Sequence, residues 1–482
     1  MALIFEISQK GRKGSFVPPV EKKYSLSEKF RRREKANLPE VSELDVVRHY
    51  THLSQKNFSI DTHFYPLGSC TMKYNPRFHE IVAGDPNFRN LHPLQDASQL
   101  QGILAILWEV EEYLKELTGM DGLTFQPSAG AHGELTSLLM IHKYFKDHNE
   151  VRPHVLIPDS AHGTNPASAA LVGFRTIKVK TDSEGLLDME DFQSKVDEKT
   201  AALMITNPNT LGLFEKNIQK MADILHNKGA FLYMDGANFN AIIGVARPGD
   251  FGVDLMHLNL HKTFSTPHGG GGPGSGPVAV KEKLLPYLPA PVIRKEGDTY
   301  QFAKPKKTIG KVRSFYGNIG VILRAYCYLR SHGPEDFRDI AYYSVLNANY
   351  LAALVKDFME IPYGERCMHE FVGTGKELKK YGVRTLDVAK RLLDYGFHAP
   401  TIYFPLVVPE ALMIEPTETE SKQTLDRFAE ALRKIWEEAK ENPEVLKEAP
   451  HNLPVRRLDE VRAARQPVLC CASAGWEDGS GS

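Results

Sequence analysis

Apolar positions along the chain change period several times, and each change predicts an element. Leu100, Ile103, Leu104, Leu107, Leu114 and Leu117 recur at the spacing of one helix face. Asp96 or Ser98 can cap the start and Gly119 can end it, so a helix is predicted over 96–118. Short apolar runs follow. They predict strands at 123–125, 154–158, 175–180, 201–206, 231–234 and 255–260, with a further one at 277–280. Helices are predicted to start within 128–133 and to cover 218–227 and 317–331. Strands alternating with helices imply parallel βαβ units covered on both faces, an α/β fold. Beyond about 340 a smaller α/β unit is predicted, with strands at 368–372 and near Ile402 and Met413, and helices at 385–394 and 420–440. The pattern divides the chain into an arm (1–60), a large domain (61–335), a small C-terminal α/β domain (336–450) and a tail (451–482). The arm carries little periodicity and basic patches at Lys22-Lys23 and Arg31-Arg32-Arg33.

Composition narrows the class without deciding it. The chain has 482 residues, 42% hydrophobic and 25% charged, with a formal net charge of -1. That balance gives no reason to expect nucleic acid or an acidic membrane surface as a partner. No apolar run approaches the ~18–20 residues of a membrane span. The apolar patch Ala2 to Phe5 is too short for the core of a signal peptide. Five cysteines (Cys70, Cys327, Cys367, Cys470, Cys471) form no C-x-x-C pair, which fits reduced thiols in the cytoplasm. No His-Glu-x-x-His or comparable set is present, so no metal is expected.

The candidate chemistry sits on loops that follow predicted strands, where open α/β sheets bind ligands. Lys262 follows an apolar strand and His261. Asp235 ends another such strand, 262 − 235 = 27 residues earlier, so the two strands can be neighbours. A lysine amine, a carboxylate that can face a pyridine nitrogen and a small-residue turn together suit pyridoxal phosphate. Ala237 is small enough to lie flat under a ring. Ser128-Ala129-Gly130-Ala131-His132-Gly133 can open a helix on a phosphate, with His132 as a stacking ring. Asn207, or Thr210 beside it, could reach the cofactor's phenolic oxygen. The run from His268 to Pro277 lacks the Gly-Lys-Ser/Thr ending of a P-loop and suits close backbone approach instead. Each feature alone has a plain reading: a surface lysine, a strand-end Asp, an Asn-Pro turn. Arg313 is a candidate anion contact, or an ordinary surface arginine. Residues 61–76 read as an ordered binding loop containing Cys70, either redox-active or an inert buried thiol, and the loop 160–166 as a segment facing substrate.

Four longer motifs carry a resemblance. They are Tyr65-Pro66-Leu67-Gly68-Ser69-Cys70-Thr71-Met72-Lys73, His162-Gly163-Thr164-Asn165-Pro166-Ala167-Ser168-Ala169, His261-Lys262-Thr263-Phe264 with the glycine run, and Asp394-Tyr395-Gly396-Phe397-His398-Ala399-Pro400 with Glu415-Pro416-Thr417-Glu418. Together they resemble the glycine dehydrogenase (decarboxylating) family, the P-proteins of the glycine cleavage system, over roughly residues 60–440. The length resembles the C-terminal, cofactor-bearing half, which is subunit 2 of the split bacterial form. The chain departs from that pattern at His63, where a glycine is usual, and over 466–482. The resemblance implies an oxidoreductase of the aspartate-aminotransferase type, fold type I, with pyridoxal 5'-phosphate on Lys262. It further implies decarboxylation of glycine and transfer of the aminomethyl group to the lipoyl arm of H-protein. His261 or another histidine would move protons. It implies a partner subunit 1, two copies of each chain in a heterotetramer, and a cytoplasmic setting. The competing readings are another fold-type-I enzyme (an aminotransferase or desulfurase) and a non-catalytic scaffold subunit.

Overall fold

Seven strands make the central sheet, and each forms where the chain offers an apolar, β-prone run. They are β1 (Gly122–Thr124), β2 (His154–Pro158), β3 (Arg175–Val179), β4 (Thr200–Thr206), β5 (Phe231–Gly236), β6 (Leu255–Leu258) and β7 (Val278–Val280), in the order β1-β7-β6-β5-β4-β2-β3. β7 runs antiparallel to β1 and β6, while β2 to β6 pair in parallel. The structure is a computed structural model that describes residues 2–14, 25–34, 36, 38–269, 272 and 274–469. The tail cysteines, Gly270, Gly271, Pro273 and the Lys22-Lys23 patch lie outside the described residues.

Side-chain alternation divides the core between the two faces. Leu156, Leu203, Ile205, Leu232, Met234 and Met256 pack with the helices Gln101–Thr118, Ile218–Asn227 and Ile319–Ser331. Val155, Ile157, Ala202, Met204, Phe231 and Tyr233 pack with the helix Gly130–Asp147. Every residue of β4 and β5 is buried, as strands covered on both faces require. A buried Leu or Met contributes about 1.5–3 kcal/mol over its exposed form.

A second, three-stranded sheet follows. β10 (Phe371–Thr374) and β11 (Thr401–Ile402) flank β12 (Ala411–Ile414), all antiparallel. Its core is built by Leu425, Phe428, Leu432, Ile435 and Trp436 of the helix Lys422–Glu441, with Leu351 and Val355 from the end of the helix Pro334–Val355. The intervening hairpin β8 (Val292–Glu296) and β9 (Thr299–Ala303) stands apart as a two-stranded sheet.

The chain groups into two compact units, Met1–Thr62 and His63–Ser482. The first holds a helix, Glu43–Ser54, that the sequence pattern did not predict; Ser42 and Asp45 form its capping box. Two further departures from the sequence reading concern length. The last strand before Lys262 ends at Leu258 rather than 260, and 334–355 forms a helix of 22 residues where no helix was predicted.

Candidate active site

The carboxyl ends of β5 and β6 lie side by side, and Asp235 pairs across them with His257. Lys262 follows in the turn after β6. The opening between these ends and the helix Gly130–Asp147 is a cavity of about 420 Å³. Lys262, His261, Asp235, Ala237, Gly130 and Ala131 all line it, together with Ser69, Cys70, Glu134, His162, His257 and Phe404.

Asp235 is 1% exposed. Burial alone would raise its carboxyl, yet the His257 and His162 imidazoles and a hydrogen bond from His162 hold it well below the usual carboxylate range. His162 Nδ1 lies 2.9 Å from Asp235 Oδ2, and Asn165 Nδ2 donates to the same oxygen at 3.2 Å. Ala237 N–H donates to Oδ1 at 2.9 Å. His257 is fixed from both sides, with Tyr233 Oη 2.6 Å from Nδ1 and Asn259 Oδ1 3.0 Å from Nε2. An ionised acid aimed at a cavity is what a protonated pyridine nitrogen needs.

Lys262 Nζ donates to the Ser69 carbonyl at 2.8 Å. Ser69 also places its hydroxyl 3.0 Å from His162 Nε2. A carboxylate can only accept, so the proton on His162 Nδ1 belongs to the Asp235 bond. One turn therefore touches both the lysine and the partner of the aspartate.

The helix Gly130–Asp147 begins at Ala129 with no side-chain cap, and its first residues, Gly130 and Ala131, line the cavity. Gly130 is required there. A Cβ would lie 2.6 Å from Asn259 Nδ2 and 3.0 Å from His257 Nε2. The amine, the ionised carboxylate and the uncapped helix start fit pyridoxal phosphate.

Not every candidate reaches this cavity. His132 turns back on its own helix start, with Nδ1 3.2 Å from both the amide nitrogen and Oγ of Ser128. Asn207 Oδ1 accepts Glu215 N–H at 3.0 Å and its Nδ2 is buried without a hydrogen-bond partner among the described residues. Thr210 Oγ1 donates to the Ser160 carbonyl at 2.6 Å. Arg313 donates to Asn318 Oδ1 at 2.9 Å. His132, Ser128, Asn207, Thr210 and Arg313 are not among the lining residues. His261 lines the cavity and accepts Ser275 N–H at 3.3 Å. Burial, then the neighbouring His268 and Lys262, pushes its imidazole down to about 3, so it stays neutral at physiological pH. The Cys70 thiol is pushed up to about 11 by burial.

Sequence reasoning placed His162 in a loop facing substrate and Ser69 in an ordered binding loop, but gave neither a contact with Asp235 or Lys262, and it gave His257 no role. The His162 ring stacks on Phe404 at 5.8 Å and 14°, giving the cavity a flat wall.

Comparison with known proteins bears on the family and the fold. A family model described as glycine dehydrogenase, C-terminal domain, matches residues 340–453, and one for class-V aminotransferases matches 133–292. The probable glycine dehydrogenase (decarboxylating) subunit 2 of Thermotoga petrophila is 57% identical over 97% of this chain and 99% of its own. That of Bacillus cereus is 56% identical, covering 97% of both chains. Among solved structures, an inhibitor-bound glycine decarboxylase (P-protein) of the glycine cleavage system matches with a TM-score of 0.69 at 20% identity, over 87% of this chain and 92% of that one. A NifS-like protein matches at 0.61 and 16%, over 78% of this chain and 99% of that one. These likenesses place the fold among the type I pyridoxal-phosphate enzymes.

Proposed function

The chain belongs to the glycine dehydrogenase (decarboxylating) subunit 2 family, and from that premise we propose that Lys262 and Asp235 hold pyridoxal 5'-phosphate for the decarboxylation of glycine. The observation that carries the reading is the meeting of the Lys262 amine and the ionised Asp235 on one cavity, at the carboxyl ends of adjacent strands. The aminomethyl group would pass to the lipoyl arm of H-protein.

When bound, the cofactor supplies an electron sink for the pair left as glycine loses CO2. This chain's residues do the rest. Asp235, held ionised between His162 and His257, keeps a proton on the ring nitrogen. Ala237 and the flat ring of His162, which line the cavity, would contact its faces, a stacking role that the sequence reading gave to His132. The N–H groups at Gly130 and Ala131 receive the phosphate. The Ser69 carbonyl receives the Lys262 amine whenever that amine is free. His261 stays neutral, and its Nδ1 already accepts Ser275 N–H, so moving a proton there would require that bond to open. Ser128, Asn207 and Thr210 brace the surrounding turns, and any contact they make with the cofactor would need side-chain movement.

The name subunit 2, carried by the relatives, supports a partner subunit. A cytoplasmic heterotetramer, two copies of each chain, is the assembly we propose. Among the described residues no helix is long and apolar enough to cross a membrane. A desulfurase reading has one point in its favour, since Cys70 lines the cavity. Such a reaction needs a reactive thiolate, and burial holds this thiol protonated.

Glycine–bicarbonate carbon exchange tests the proposal, with lipoylated H-protein and with and without subunit 1. Exchange is expected when both chains are present. No exchange under either condition would overturn the reading.

A further inference from the structure

The turn that receives Lys262 belongs to the small sheet, not to the sheet that carries Lys262. Leu67 bridges Ile414, and Gly68 N–H donates to the Met413 carbonyl at 3.3 Å. The Thr401 hydroxyl donates to the Gly68 carbonyl at 2.9 Å. Residues 67–68 thus pair with the end of β12 on its β11 side, beyond that short strand, although the sequence reading placed them in the large domain.

Two buried glutamate side chains continue this grip. Glu370 directly precedes β10 and Glu415 directly follows β12, and their neighbours Phe371 and Ile414 pair across the antiparallel ladder. Both glutamates therefore leave the same edge. Glu370 Oε2 accepts Ser69 N–H at 2.6 Å, and its Oε1 accepts from Asn238 Nδ2 at 3.2 Å and the Ser69 hydroxyl at 3.4 Å. Glu415 Oε2 accepts the N–H groups of Cys70 and Thr71 at 3.1 and 2.9 Å, and its Oε1 takes the Thr71 hydroxyl at 2.6 Å. Ser69 and Thr71 hold φ of 59° and 47°, where non-glycine residues persist only with outside support. His369 lies between the glutamates, Nε2 at 3.9 Å from each Oε1. These three side chains could reach one ion, but the carboxyl lone pairs already face N–H and O–H donors, so the cluster serves the turn.

We propose that Glu370 and Glu415 are positioning residues for Lys262: they fix the Ser69 carbonyl that accepts from the lysine amine, and so tie the amine to the small sheet. The catalytic meaning of this tie rests on the reading of Lys262 above; the tie itself does not.

Donor and acceptor geometry gives an asymmetric expectation. Gln at 415 can keep its oxygen on the Cys70 and Thr71 N–H groups and turn its amide toward the Thr71 hydroxyl, which can accept. Gln at 370 must aim an N–H at Ser69 N–H or at the Asn238 amide, a donor against a donor. A general loss of stability would not separate the two.

The test uses the full chain without added cofactor, following hydrogen exchange in the peptide spanning 67–73 and the rate of reductive methylation of Lys262. Glu370→Gln is expected to speed exchange about tenfold, the loss of one buried hydrogen bond, and to speed Lys262 methylation. Glu415→Gln is expected to stay close to wild type in both. Wild-type exchange in Glu370→Gln overturns the proposal. So does a loosened turn with unchanged Lys262 methylation, or equal losses in both variants. If Glu370→Gln does not fold, Thr71→Ala replaces it, removing one donor and no buried charge, and the same two rates must rise. Attachment of the cofactor to a different lysine would sink the functional reading and leave these rates standing.

Discussion

At the scale of single residues, Asp235 has a charge that depends on its neighbours. Asn at this position would turn an N–H toward His162, Asn165 or the Ala237 N–H, all of which donate to it now. It would also leave the ring nitrogen without an acid partner. Asp235→Asn is expected to fold and to lower the glycine–bicarbonate exchange rate by about a hundredfold or more, the scale of losing one proton-holding group. His79 offers a pH test away from the cavity. Burial lowers its imidazole from the ordinary 6.5 to about 4, against the raising effect of Glu80. The folded-state value is depressed, so the stability it contributes is full above pH 6.5 and is lost as pH falls toward 4. Neither ring nitrogen has a hydrogen-bond partner among the described residues. Between pH 7 and pH 5, wild type is expected to lose about 2 kcal/mol relative to His79→Phe, read from urea midpoints. No change in that difference would contradict a neutral buried imidazole. Lys262 and Asp235 were legible in the sequence because each follows an apolar strand. Glu370 was not, since it meets Ser69 from 301 residues away and no local period links them.

At the scale of elements, the helix Gly130–Asp147 approaches β6 closely where its first turn has no side chain, at Gly130 and Gly133. Gly130→Ala would press on Asn259 Nδ2 and His257 Nε2. Overpacking of this kind costs about 1–3 kcal/mol, so a lower denaturant midpoint and weaker cofactor uptake are expected; unchanged values would contradict the close approach. Most strands were readable because fully buried β-runs are short, apolar and bounded by turns. The hairpin β8–β9 escaped because Arg294, Lys295 and Glu296 are exposed and break the apolar signal. The helix Thr164–Val172 escaped because its small residues and Pro166 read as a loop. The helix Pro334–Val355 buries Phe337, Ile340, Leu351 and Val355 at helical spacing, with the smaller Ala341, Ser344 and Ala348 between them, a period that was present in the sequence and was not read.

At the scale of the whole molecule, the division of labour falls between two sheets. The large sheet carries Asp235, His257 and Lys262, and the small sheet holds the turn against which the lysine rests. That arrangement was out of reach of the sequence, because a boundary drawn at residue 336 assigns the turn to the wrong sheet. The central claim, that Lys262 carries pyridoxal phosphate in this cavity, is tested most directly by borohydride reduction of the loaded protein followed by peptide mapping. The expected result is a cofactor mass on the peptide containing Lys262 and none in Lys262→Ala. A tag on another lysine, or no tag on a protein shown to be folded and loaded, would contradict it.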